Sequence, residues 1–91
     1  MSEIDWNEPY VFTERVPDWA RYLLKKRGIP EVIIPSELSL DQMSDLVLVF
    51  GLVKAVEEGY LEVHWDGKSE PTFTPTDKLI REVERKYGKI R

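Results

Sequence analysis

Apolar and polar positions along this chain change their period from segment to segment, and each change predicts an element. Residues 1–16 hold no sustained period; Trp6, Pro9, Tyr10 and Phe12 suggest an extended arm whose aromatics dock on the body, with a short strand at Tyr10–Thr13. Pro17-Asp18 then opens a helix, proline suiting the entrance and aspartate the positive end of the dipole. Trp19 with Leu23 and Ala20 with Leu24 make one apolar face, while Arg21 and Lys25 lie on another. Lys25, Lys26 and Arg27 crowd the last turn and Gly28 ends it. Val32-Ile33-Ile34, fenced by Pro30 and Pro35, reads as a short edge strand whose expected partner is the later ribbon.

Ser39 is the expected N-cap of the next helix, with Gln42 three residues on as the second half of a capping box. From Leu46 to Val53 the pattern is apolar all round, which predicts burial on nearly every side. A strand at Leu46–Phe50 is the alternative. Helix is preferred because the apolar run continues through Val56 into Glu57-Glu58-Gly59. Gly51 inside it marks either a kink or a close helix–helix contact. Tyr60, Glu62 and His64 alternate with Leu61, Val63 and Trp65, the period of a half-buried strand. Asp66-Gly67 signals a tight hairpin turn and Pro71–Thr74 the return strand. Thr74-Pro75 reads as an N-cap followed by proline at the first helical position, with Leu79, Ile80, Val83 and Tyr87 as the buried stripe of a last helix. Gly88 ends that helix, leaving Lys89-Ile90-Arg91 to fray.

Ninety-one residues, 42% of them hydrophobic, predict a folded globule: an N-terminal arm over 1–16 and one domain over 17–91. No run approaches the roughly 18 apolar residues of a membrane helix, so no membrane partner is expected. The acidic start lacks the basic and apolar regions of a secretory signal. Cysteine is absent, which removes disulfides and thiolate chemistry and fits a cytoplasmic protein. Asn7 and Gln42 are the only side-chain amides beside thirty charged residues, a composition that resembles thermophile proteins.

The net charge of −4 is unevenly spread. Residues 15–27 carry Arg15, Arg21, Lys25, Lys26 and Arg27 against Asp18 alone, and residues 31–70 carry nine acids against Lys54 and Lys68. An acidic total disfavours strong nonspecific binding to nucleic acid, though the basic segments remain candidates for phosphate contact.

The order helix, short strand, helix, strand, turn, strand, helix resembles the winged-helix family, especially small transcription regulators of the multiple-antibiotic-resistance and phenolic-acid types. The stretch that carries the likeness is Leu52 to Gly59-Tyr60-Leu61, then Asp66-Gly67-Lys68, then Phe73-Thr74-Pro75, in roughly half the chain. The resemblance implies an α+β fold of three helices with a small antiparallel β-sheet, the wing hairpin covering about residues 60–74. It also implies a nucleic-acid-associated or transcription-related role with duplex DNA as partner. The chain departs from the family where a recognition helix shows polar groups to base edges, because Leu46–Val56 has Lys54 as its only cation. Expected phosphate contacts are therefore His64 and Lys68 on the wing and Arg21, Lys25, Lys26 and Arg27 on the first helix.

The alternative on the same fold is a protein-interaction module or homodimer that does not bind DNA. Its expected surface is Val47, Val49 and Leu52 on the apolar helix. Enzyme chemistry is not expected: the chain has no Gly-rich phosphate loop, no Gly-x-Ser-x-Gly elbow and no His-x-x-x-His pair. His64 is the single histidine, and without further ligands beside it no metal, cofactor or small-molecule substrate is expected.

Overall fold

The computed structural model describes residues 5–11 and 16–88. Among them are three α-helices and two antiparallel sheets of two strands each, an α+β arrangement. The chain divides into two compact units, residues 1–50 and 51–91.

The first unit holds strand β1 (Tyr10–Val11), helix α1 (Asp18–Lys26), strand β2 (Val32–Ile33), a 3₁₀ turn at Pro35–Glu37, and the start of helix α2 (Leu40–Glu57). Its buried side chains are Val16, Trp19, Ala20, Leu23, Leu24 and Ile29, joined by Leu46 and Val49 of α2. Trp19, Ala20, Leu23 and Leu24 are the two i,i+4 pairs of the apolar face, so periodicity alone places the core side of α1. After Lys26 the chain closes α1 with the backbone N–H of Ile29 donating to Leu24 O at 2.9 Å and that of Gly28 to Lys25 O. Arg27 Nη1 then donates to Asp45 Oδ1 at 2.8 Å, fastening the end of α1 to α2.

β2 pairs with β1, Tyr10 opposite Ile33 and Val11 opposite Val32, and not with the later ribbon as its sequence led us to expect. The described part of the arm is held by hydrogen bonds, Ser36 N–H donating to Trp6 O at 2.8 Å and Ser36 Oγ to Asn7 Oδ1 at 3.0 Å, while Trp6 and Tyr10 stay exposed. The strand expected to reach Thr13 is seen to Val11; Phe12 and Thr13 lie outside the described residues, as do Lys89–Arg91.

α2 is one helix of 18 residues with no helix–turn–helix break. Its start is the expected capping box, Ser39 N–H donating to Gln42 Oε1 at 3.0 Å and Gln42 N–H to Ser39 Oγ at 3.1 Å. Its end is the expected glycine: Gly59 takes φ 84°, a left-handed value that suits glycine. Tyr60 N–H then reaches Ala55 O at 2.8 Å.

The second unit continues with β3 (Leu61–His64), β4 (Thr72–Pro75) and α3 (Asp77–Tyr87). β3 and β4 pair antiparallel from Leu61 opposite Pro75 to His64 opposite Thr72. Leu61, Val63 and Phe73 are half-buried on one face, and Glu62, His64, Thr72 and Thr74 are exposed on the other. The connection is a loop over residues 65–71, longer than the tight turn that Asp66-Gly67 signals. The last N-cap is Thr76 and not Thr74, because Thr74 and Pro75 are still ribbon residues in register with Glu62 and Leu61. Thr76 Oγ1 accepts from Leu79 N–H at 3.4 Å and donates to Gly59 O at 2.6 Å, so one hydroxyl caps α3 and holds the turn after α2. The stripe predicted on α3 is only partly covered: Leu79 and Val83 are half-buried, while Ile80 and Tyr87 are exposed.

Candidate functional site

Lys25 and Lys26 stand in the last turn of α1 and Arg27 at its C-cap, where cations offset the carbonyl end of the dipole, while Arg21 lies one turn in from the helix start. Arg21 lies 3.7 Å from Asp18, and Lys26 Nζ is 3.4 Å from the Tyr22 hydroxyl and over that ring. Arg27 is tied to Asp45. Lys25 shares the solvent face with Arg21 at helical i,i+4 spacing. These groups make a short positive stripe on the first unit.

The ribbon of the second unit is built around Asp66. Its Oδ1 accepts the backbone N–H of Lys68 at 2.8 Å and of Ser69 at 2.7 Å, and its Oδ2 accepts Ser69 Oγ at 3.1 Å. Those N–H groups, that of Lys68 foremost, hold its carboxyl below the usual carboxylate range by stabilising the anion. Trp65 Nε1 donates to Ser69 O at 2.7 Å and closes the same loop. His64 Nε2 and Thr74 Oγ1 share a hydrogen bond of 3.0 Å across the exposed face. The open groove here, about 370 Å³, is lined by His64, Trp65, Asp66, Ser69, Glu70 and Thr72. Around Lys68 stand Glu62, Asp66 and Glu70 in sequence, so the ribbon is net acidic. Among the described residues no three potential metal ligands come together.

α2 presents a different kind of surface. Leu46, Val49 and Val53 are buried, following i, i+3, i+7 along one side. Leu40 is 75% and Val47 73% exposed, and Met43, Leu48 and Phe50 are exposed as well. Burial on nearly every side, predicted from the all-round apolar sequence, does not hold. Of the three residues expected on an interaction surface, Val47 is open to solvent and Leu52 half-buried, whereas Val49 is wholly buried at 0% exposure and belongs to the core. Leu40, Met43, Leu48 and Phe50 were not anticipated on this face. The signal for them was the apolar width of α2 itself, which exceeds one core-facing stripe.

Gly51 lies on the same outer side, and an added Cβ there would meet no atom within 4 Å. α2 runs through the glycine without interruption, and no close contact with it is made among the described residues. Among the described residues no helix is long and apolar enough to cross a membrane, so this face is not part of a helical span.

No known protein family matches this chain, and no curated protein or solved structure shows significant similarity to it.

Proposed function

We propose that this protein is a small interaction module that docks a partner through the outer face of α2. The observation that carries the reading is the exposure of Leu40, Met43, Val47, Leu48 and Phe50 on one helix of a 91-residue chain. Apolar groups clustered on a surface lose free energy of hydration until covered, at about 25 cal/mol per Å² removed from water. A partner helix supplies such cover with anchors at i, i+3, i+4 and i+7. The test is a photo-reactive residue in place of Val47, with one in place of Glu62 as control, in cells producing the protein. Cross-linking at 47 to any protein, itself included, well above that at 62 supports docking; equal yields at the two positions exclude it.

A second reading is phosphate contact, favoured by the solvent-facing stripe of Arg21, Lys25 and Lys26 on α1. The order of α2, the β3–β4 ribbon and α3 supports a winged-helix-like reading of the chain's second half. Within it His64 and Lys68 are the wing groups available to duplex DNA. The acidic surroundings of Lys68 rank this reading second. Its test is a salt titration of binding to duplex DNA: an affinity that falls steeply with salt and is lost in Lys25→Glu/Lys26→Glu supports it, and no binding at low salt ends it.

A further inference from the structure

We infer that the partner of this face is a second copy of the chain, paired antiparallel through α2 about a two-fold axis. This rests on the reading of α2 as a docking surface. Met43, Val47, Gly51 and Ala55 follow one another four residues apart, so they form one ridge along the helix. Read in order, the ridge is large, large, small, small. Reversed against itself with the axis midway between Val47 and Gly51, it sets each Val47 against the partner's Gly51 and each Met43 level with the partner's Ala55. A parallel copy sets large against large and leaves the small positions facing each other across a void. The sequence of this ridge is therefore complementary to its own reverse, the condition for an isologous interface.

Gly51 gives this its second support. In a helix interior glycine is the least favourable residue short of proline. Here its missing side chain relieves no contact among the described residues, since an added Cβ meets open space. A neighbouring helix with a Val47 knob uses that space. Charge agrees with the same orientation. Lys54 is the one charged residue on the outer arc with Leu40, Val47 and Gly51, all within about 60° at 100° per residue. It makes no ion pair among the described residues. Antiparallel pairing sets Lys54 level with the partner's Ser44, a hydroxyl acceptor, and keeps the two ammonium groups about 15 Å apart along the axis. Parallel pairing sets them level with each other. One face of one helix is smaller than the roughly 800 Å² per partner of a standard interface, so the dimer is reversible and dissociates on dilution.

Sedimentation of the purified full chain over a wide concentration range tests this. A monomer–dimer equilibrium is expected, and Gly51→Leu is expected to weaken it by about tenfold or more by filling the space opposite Val47. The same substitution improves helix propensity, and its Cβ meets no atom within 4 Å among the described residues, so circular dichroism at dilution separates lost pairing from lost fold. The orientation is read from cysteine variants of this cysteine-free chain. Mixed Val47→Cys and Gly51→Cys proteins are expected to join to each other under mild oxidation in preference to joining like with like. A chain that stays monomeric at all concentrations, or a dimer indifferent to Gly51→Leu, overturns the proposal. Preferred joining of Cys at 47 with its own copy overturns the antiparallel register. A monomeric pure protein that still cross-links another protein through position 47 sinks the dimer and leaves the docking reading standing.

Discussion

Arg27 Nη1 and Asp45 Oδ1 meet at 2.8 Å, joining the last turn after α1 to the second turn of α2 across 18 residues of chain. Both side chains are only partly exposed, so the pair is less screened than a bridge on the open surface. A double-mutant cycle of Arg27→Ala and Asp45→Ala, followed by urea unfolding, is expected to give a coupling energy of about 1 kcal/mol. The coupling should shrink at molar salt. Zero coupling at low salt removes this pair as a tie between the two helices. The same bond makes Arg27 the cation of α1 least free to meet a phosphate.

Thr76 carries two duties with one hydroxyl, accepting from Leu79 N–H and donating to Gly59 O. Thr76→Val keeps the shape and deletes both bonds. The expected loss is about 1–2 kcal/mol in unfolding free energy, the range for losing a helix N-cap. Thr76→Ser should recover most of it. Equal stability of the valine and serine variants removes the cap as the cause.

Much of this fold was legible where one local interaction decides the outcome. Ser39 and Gln42 satisfy each other's N–H groups without help from the rest of the chain, and Gly59 stops α2 by its own backbone freedom. The alternation from Tyr60 to Trp65 likewise fixes which ribbon side faces inward. Legibility failed where two distant segments compete. Prolines at 30 and 35 identified β2 as an edge strand, but Tyr10–Val11 and the β3–β4 ribbon are both plausible partners from composition. Thr74 and Thr76 are both good caps, and the choice depends on how far the ribbon register extends. The α2 face was misread for a related reason. Its sequence shows that Leu46–Val53 is apolar, yet the amount of chain available to cover it is a property of the whole packing.

Asp66 makes the ribbon loop sensitive to acid. Its pKa is lowered in the folded chain, first by the N–H of Lys68 and then by that of Ser69, from an ordinary 3.8. A lowered folded pKa means the anion is stabilised by folding. That contribution is fully present above the ordinary value and is lost as pH falls through the folded one. The amide resonances of Lys68 and Ser69 are therefore expected to shift together on acidification with a shared midpoint below 3.8. In Asp66→Asn that shared acid transition should vanish. A midpoint at or above the ordinary carboxylate value contradicts the geometry of the loop.

Val47 and Val49 lie two residues apart on α2 and face opposite ways, 73% and 0% exposed. Val49→Ala removes two methyl groups from a filled core and is expected to cost about 2 kcal/mol. Val47→Ala, measured in dilute solution where no second copy is bound, should change stability by less than about 0.5 kcal/mol. Paired thermal melts of the two variants give the comparison. Similar losses at both sites mean that the outer face of α2 is covered within the monomer.

Gly51→Ala separates the cost of glycine in the helix from its use between helices. Nothing lies within 4 Å of the added Cβ, so the isolated chain gains the helix propensity of alanine without a clash. The expected gain is about 0.5–1 kcal/mol, or roughly 2–8 °C in Tm for a domain of this size, measured at a concentration where the chain is monomeric. At high concentration the advantage should narrow, because the methyl group takes up room that the partner's Val47 occupies. The decisive quantity is therefore the difference in Tm between variant and parent followed against protein concentration. A gap that stays constant over the whole range means that the space over Gly51 is never filled. A gap that closes as copies associate ties Gly51 to the partner's approach.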